Sequence, residues 1–172
     1  DLVDFLIKDF SHTELADNSV DVVWGLESVC YAESKKRFVD EAYRLLRDNG
    51  RIIVADGFLR KEPLTDDEER EMRNWLDGWA VPNLASISEF RTDLEDAGFK
   101  NITFSNVTEN VMPSSRRIYY LSLPKRSIMK ILEWSGIRRE AEVRQSGTGY
   151  YQYFTLKKGL WVYGIFSAEK QL

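Results

Sequence analysis

The sequence predicts an α/β fold built around a parallel sheet. Two short runs rich in β-branched and aliphatic residues, 20–24 and 51–56, are typical of strands buried on both faces. Between them, residues 34–47 place apolar side chains at helical spacing; Ser34 is the predicted N-cap and Gly50 the predicted left-handed end residue. A strand, a helix and a strand with short links form a right-handed parallel unit.

Further elements follow along the chain. Thr65 and Glu68 have the spacing of a capping box, which predicts a helix with an apolar face extending to Trp79. A second capped helix is predicted from Ser86 to its stop at Gly98. The remaining predictions are strands at 101–110 and 161–168, helices at 127–134 and 150–156, and a polar loop at 144–149.

Composition excludes several classes of protein. The net charge of -4 over 172 residues argues against nucleic acid as the main partner, which needs a basic surface. No apolar run approaches the roughly 20 residues of a membrane span. A single cysteine cannot form an internal disulfide, so we expect a cytoplasmic protein, and one histidine with one cysteine cannot make a structural zinc site.

Four segments carry a family resemblance: Asp-Val-Val-Trp-Gly-Leu-Glu-Ser at 21–28, the turn at 46–50 into the second strand, Asp-Ala-Gly-Phe at 96–99, and the ending at 156–166. In this order they resemble the S-adenosylmethionine (SAM)-dependent methyltransferases, and the ending is similar to the subgroup acting on tocopherols, sterols and other small molecules. The resemblance implies the C-terminal part of a Rossmann-like methyltransferase sheet with inserted lid helices. It also implies SAM as the cofactor and residues 61–86 and 113–157 as substrate lids.

The front of the chain departs from this family. The glycine-rich cofactor loop and the ribose-binding acid that the family places first do not occur before Asp9. We therefore expect residues 1–172 to be a single methyltransferase domain truncated at its N-terminus. Without the family's first strand, residues 20–24 become an apolar edge strand, so we expect residues 2–7 to pair with it or two copies to form a homodimer there.

The resemblance also implies a cofactor site. Asp9 and Phe10 match the family's pair after the third strand, whose carboxylate takes the adenine amino group. Glu27 ends the next strand, where open α/β sheets bind ligands, although it could equally cap a turn or pair with an arginine. The predicted cofactor-binding residues are Asp9, Phe10, Trp24, Gly25, Leu26 and Glu27.

Catalysis and substrate binding have separate candidates. Methyl transfer from a sulfonium releases a neutral thioether, so positioning and water exclusion carry much of it, and only some acceptors need a base. Tyr31 and Glu27 are the catalytic candidates, whereas His12 is assigned to a loop and Cys30 to the interior. Aromatic residues in the inserted segments either pack a core or wall a pocket; the substrate candidates are Tyr31, Trp75, Trp79, Tyr119, Tyr150 and Tyr151.

The sequence thus predicts a methyltransferase that moves a methyl group from SAM to an oxygen, nitrogen or carbon of a small, apolar or aromatic molecule. The alternative is a catalytically silent methyltransferase-like module for binding or assembly. A nicotinamide enzyme of the same fold class has no support, because the dinucleotide glycine fingerprint is missing.

Overall fold

The computed structural model describes residues 3–60, 63–134 and 147–171, with side chains described up to residue 124 in the helix that ends the second range. Four strands form one sheet in the order β1-β2-β4-β3. The strands are β1 Val20–Leu26, β2 Leu46–Leu59, β3 Lys100–Asn106 and β4 Trp161–Glu169. The α-helices are α1 Lys35–Leu45, α2 Asp66–Leu76, α3 Ile87–Ala97, α4 Thr108–Trp134 and α5 Thr148–Lys157; Val29–Tyr31 and Asp77–Trp79 form short 3-10 turns.

The predicted parallel unit is confirmed in β1, α1 and β2. β1 and β2 pair in parallel, and the Ser34 hydroxyl caps α1 by accepting the Arg37 N–H. The predicted turn at 46–50 belongs to the start of β2, and there Asn49 (φ 64°) and not Gly50 adopts the left-handed conformation. Asparagine tolerates that conformation because its short polar side chain can bond locally.

The helices that follow also show the predicted signals. Both halves of the Thr65–Glu68 capping box are present at the start of α2. Gly98 has φ 102° directly after α3, and the Phe99 N–H reaches the Leu94 carbonyl at 3.0 Å, which closes the helix end.

The later predictions need three corrections. β3 ends at Asn106, so residues 107–110 are not strand: the Asn106 side chain accepts the Thr108 N–H at 3.0 Å and α4 begins. α4 begins at Thr108, well before the predicted helix start at 127. It continues through Pro113 and Pro124, and because proline has no backbone N–H, the helix lacks two hydrogen-bond donors. The predicted loop at 144–149 is helical from Thr148; its residues 144–146 lie outside the described residues.

β4 runs antiparallel to β2, whereas the sequence predicted a parallel sheet. The Lys170 N–H bonds the Gly50 carbonyl, and at the other end the Arg60 N–H bonds the Leu160 carbonyl. Residue numbers rise along one strand as they fall along the other, which defines the antiparallel direction.

The chain divides into two compact units: unit 1 holds residues 1–56, 88–105 and 165–172, and unit 2 holds 57–87 and 106–164. In unit 1, Phe166 packs on Phe90 with ring centroids 5.1 Å apart. In unit 2, Trp75 stacks on Trp161 at 4.1 Å, and the Trp161 indole N–H bonds the Thr155 hydroxyl at 2.9 Å. The assignment of 61–86 and 113–157 as substrate lids stays a prediction.

β1 is an outer strand of the sheet, as predicted, but residues 3–7 do not pair with it. They form neither helix nor strand, and Phe5 and Ile7 are almost fully exposed; Leu2 lies outside the described residues. The expected rearrangement is therefore wrong for residues 3–7. The cause lies just downstream, where Phe10 packs against Phe38 and Thr13 bonds Glu41, because these contacts direct the chain along α1.

Candidate functional site

The carboxyl end of β1 lies against β2, with Leu26 opposite Ala55, four residues before β2 ends at Leu59. Glu27 follows β1 with φ 49°, an uncommon conformation for a residue with a side chain, and its N–H donates to the Ala55 carbonyl at 2.9 Å. Such strained positions cluster at ligand sites, where surrounding structure maintains them. The sharp turn at Glu27 therefore marks this edge of the sheet as the candidate site.

Two of the predicted cofactor residues, Phe10 and Gly25, lie close to Phe38. The Phe10 ring meets the Phe38 ring edge-on at 5.9 Å, and a Cβ on Gly25 would lie 3.8 Å from the far end of the same ring. The Asp9 carboxylate accepts the Ser11 N–H at 2.8 Å, which fixes the loop. Trp24 and Leu26 alternate with the buried Gly25 and are 74% and 58% exposed.

Glu41 fastens the loop that carries Asp9 and Phe10. Its Oε1 accepts both the N–H (2.8 Å) and the hydroxyl (2.6 Å) of Thr13, and the Arg44 guanidinium donates to both of its oxygens. Hydrogen bonds from Arg44 in the first place hold the pKa of Glu41 at about 2, although burial opposes this shift. The charged form is therefore the one that holds the loop.

Glu41→Gln is expected to lower the free energy of unfolding by about 2 kcal/mol at pH 7. The pKa of the Glu41 carboxyl falls from its ordinary value of 4.5 to about 2 in the folded chain. Stability from this group is thus complete above pH about 4.5 and is lost as the pH falls towards 2. Urea unfolding between pH 2 and 7 measures the effect, with Glu14→Gln, which removes an exposed ion pair to Lys8, as the small-effect control. Equal pH dependence in Glu41→Gln and the parent would contradict the assignment.

The turn after Glu27 presents Tyr31, the catalytic candidate. Tyr31 is 45% exposed. Burial first, and then nearby charges including the carboxylates of Asp56 and Glu27, raise the pKa of the Tyr31 hydroxyl. A phenol with a raised pKa keeps its proton at neutral pH, so Tyr31 suits hydrogen-bond donation better than proton abstraction.

Two residues near this turn, Asp56 and Lys35, were not among the predicted site residues, and the predicted burial of a third, Cys30, needs correction. Asp56 and Lys35 are buried at its base and bond its backbone. Cys30 is half-buried rather than interior, and burial first, with Asp56 next, raises its pKa to about 12. A charged residue at the end of a β-strand was the one signal that could have identified Asp56. His12 lies exposed in the loop, as expected.

The aromatic candidates of unit 2 separate into a core pair and a cluster. Trp75 is buried in its stack with Trp161, so packing is its structural role. The ring centroids of Tyr119 and Tyr150 are 5.6 Å apart, and those of Tyr150 and Tyr151 are 5.3 Å apart. The tyrosine cluster, meaning Tyr119, Tyr150, Tyr151, Tyr153 and Phe154, also contains Tyr153, another aromatic residue of the inserted segments, and Phe154, which the sequence did not single out.

Two candidates do not belong to the tyrosine cluster. Trp79 is 47% exposed, and its indole N–H reaches the Gln152 side chain at 3.3 Å. Tyr31 belongs to unit 1, whereas the other five substrate candidates belong to unit 2.

The described residues fit one end of SAM. Asp9 supplies a carboxylate suited to the adenine amino group, Phe10 supplies a 40% exposed ring, and Gly25 leaves no room for a side chain beside Val29. The fit covers the adenine side, because the sequence carries no glycine-rich loop for the rest of the cofactor. When bound, SAM would supply the electrophilic methyl group.

Comparison with known proteins finds similarity to methyltransferases. The methyltransferase domain family model matches residues 1–54. The chain is 29% identical to the 2-methyl-6-phytyl-1,4-hydroquinone methyltransferase of Synechocystis sp. over 97% of its own length and 54% of that protein. The curated relatives that match nearly all of this chain are about twice as long, so the chain spans about half of their length.

Solved structures agree on the fold. Geranyl diphosphate C-methyltransferase from Streptomyces coelicolor A3(2), in complex with S-adenosyl-L-homocysteine, superposes with a TM-score of 0.69 at 14% identity, over 95% of this chain and 50% of that one. The [4+2]-cyclase SpnF superposes with a TM-score of 0.68 at 17% identity, over 98% and 56%. Among the described residues, no helix is long and apolar enough to cross a membrane.

The first third of the chain matches the methyltransferase domain family, and nearly the whole chain is similar to curated methyltransferases. The solved structures show the same fold.

Proposed function

We propose that the protein containing this chain transfers a methyl group from SAM to an oxygen, nitrogen or carbon atom of a small apolar or aromatic molecule. The position of Phe10 carries the proposal, because its ring packs on Phe38, the ring that also lies near Gly25 at the carboxyl end of β1. Open α/β sheets bind ligands at such strand ends. We propose cytoplasmic activity without a nucleic-acid partner, on the single cysteine and the net charge of -4.

The proposed acceptor class rests on two observations. The tyrosine cluster provides ring faces for an apolar or aromatic molecule, and ring centroids 4.6 to 6.0 Å apart keep these faces close together. The hydroquinone in the name of the Synechocystis relative belongs to the same chemical class. Tyr31 then acts as a hydrogen-bond donor and Glu27 as the base where the acceptor needs one.

The test is methyl transfer from isotope-labelled SAM by the natural protein that contains this chain. The acceptors are a prenylated hydroquinone, a simple phenol and sarcosine, with products identified by mass spectrometry. Label on the hydroquinone or the phenol supports the proposal. Label on sarcosine alone would overturn the acceptor class, and SAM binding without transfer to any acceptor of a wider apolar and aromatic panel would overturn the enzymatic role.

The second candidate is a methyltransferase-like module without methyl-transfer activity. One specific observation favours it: the superposing structures include a protein described as a cyclase, so this fold alone does not specify methyl transfer. Binding of SAM without turnover in the experiment above would support this candidate.

We further propose that the outer edge of β1 forms a homodimer contact. Val22, Trp24 and Leu26 on this strand are 42%, 74% and 58% exposed, an apolar surface on an unpaired edge of the described sheet.

Light scattering is expected to show twice the chain mass at high concentration. Val22→Lys should abolish this dimer, because a charge on an edge strand opposes pairing. Leu121→Lys, which changes an exposed apolar residue of α4, is the matched control and should leave the dimer intact. A monomer mass at every concentration would contradict the proposal.

A further inference from the structure

Two buried charged side chains hold the 3-10 turn Val29–Tyr31 from beneath. The Asp56 carboxylate accepts the Cys30 N–H at 2.9 Å. The Lys35 ammonium donates to the carbonyls of Cys30 at 3.0 Å and Ala32 at 2.5 Å. Asp56 is 5% exposed and Lys35 is 7% exposed. The backbone on both sides of Tyr31 is therefore bonded to ionisable groups removed from water.

This arrangement exceeds what the turn needs in order to form. The turn already has its own hydrogen bonds, from Tyr31 N–H to the Ser28 carbonyl and from Ala32 N–H to the Val29 carbonyl. Burying a carboxylate and an ammonium costs free energy even when they are hydrogen-bonded. Burial lowers the pKa of Lys35 to about 8, which reflects that cost.

Packing fixes the turn against the strand as well. Val29 is 2% exposed and lies so close to Gly25 that a Cβ there would approach its Cγ2 to 2.6 Å. The hydrogen bond that Asp56 accepts and those that Lys35 donates therefore hold the backbone, while Val29 packs against β1. The residue left outside this anchored base is Tyr31.

We propose that Asp56 and Lys35 are positioning residues, which lock this turn so that the Tyr31 hydroxyl is held in place for the acceptor molecule. The inference rests on the proposed methyl transfer, because Tyr31 acts on the acceptor only in that reaction. Asp56 and Lys35 touch the backbone of the turn and act through it. A site that works by positioning gains from such rigidity, because small displacements of a reacting group cost large factors in rate.

The single cysteine gives a direct readout of Asp56 that does not depend on activity. In the parent chain, burial and Asp56 raise the pKa of Cys30 to about 12, so alkylation by iodoacetamide at pH 8.5 should be slow. Asp56→Asn keeps the shape and removes the charge, and it is expected to speed alkylation about tenfold or more. Asp21→Asn, an exposed carboxylate at the other end of β1, is the control and should change nothing.

Two more readouts separate positioning from general stability. Asp56→Ala and Lys35→Met are expected to raise hydrogen exchange across residues 28–32 at least about tenfold, with partial rescue in Asp56→Asn, whose amide oxygen can still accept the Cys30 N–H. In the natural protein, Asp56→Ala should lower kcat about tenfold or more and leave the KM for SAM within about twofold.

Each outcome decides a separate question. Parent-like exchange and alkylation in the Asp56 variants would overturn the lock. Increased exchange with an unchanged kcat would overturn the role in positioning Tyr31. A parent protein that transfers no methyl group would remove the proposed function, while exchange and alkylation would still report whether the turn is locked.

Discussion

Gly78→Ala is expected to destabilise unit 2 by about 2–3 kcal/mol, near the upper end for overpacking a closely packed site. A Cβ on Gly78 would lie 2.8 Å from the Thr148 Cβ and would collide with the Thr148 hydroxyl. Thr148 is 5% exposed and opens α5, so it cannot move aside without shifting the helix that carries most of the tyrosine cluster. Urea unfolding followed by tryptophan fluorescence measures the loss, because the Trp75–Trp161 stack lies in the same unit.

A matched pair of variants makes this prediction specific. Gly57→Ala places its Cβ 3.4 Å from Trp161, an ordinary contact, and should change stability by less than about 1 kcal/mol. Adding Thr148→Gly to Gly78→Ala removes the colliding atoms, so the double variant should recover part of the loss. Equal stability of Gly78→Ala and Gly57→Ala would show that these segments are not packed as described.

Gly25→Val is expected to weaken SAM binding at least about tenfold while costing only about 1–3 kcal/mol of stability. Its Cβ would approach Val29 to 2.6 Å, and Val29 is buried, so the turn after β1 must move. The backbone of β1 itself accepts valine, because β-branched residues suit strands. The variant therefore displaces the candidate site and spares the rest of the fold.

Calorimetric titration of SAM into the natural protein with and without Gly25→Val checks this expectation, and Gly57→Val in β2 serves as the control for a glycine-to-valine change within a strand. Unchanged affinity in a folded Gly25→Val protein would exclude the carboxyl end of β1 from the cofactor site.

Local signals in the sequence predicted the regular elements well. The β1-α1-β2 unit, the Thr65–Glu68 capping box and the Gly98 helix end all depend on neighbouring residues, so their patterns are visible without tertiary structure. α4 was predicted poorly because Pro113 and Pro124 are local signals against a helix. Tertiary packing can override such signals, as happens here.

The candidate site was predictable only in part. Asp9, Phe10 and Gly25 were identified through family resemblance, whereas the approach of Phe10 and Gly25 to Phe38 depends on packing between segments distant in sequence. The bond from Asp56 to the turn joins residues 26 positions apart, which no periodicity encodes. The sequence left open whether Trp75 packs a core or walls a pocket, and its stack on Trp161 assigns it to the core.

We expect the residues at the carboxyl end of β1 to form part of a SAM site. Calorimetric titration of S-adenosylhomocysteine into the natural protein that contains these residues, with folding verified in the same sample, tests this. Saturable binding with one site per chain is the expected result. A folded protein that binds neither S-adenosylhomocysteine nor SAM would contradict it.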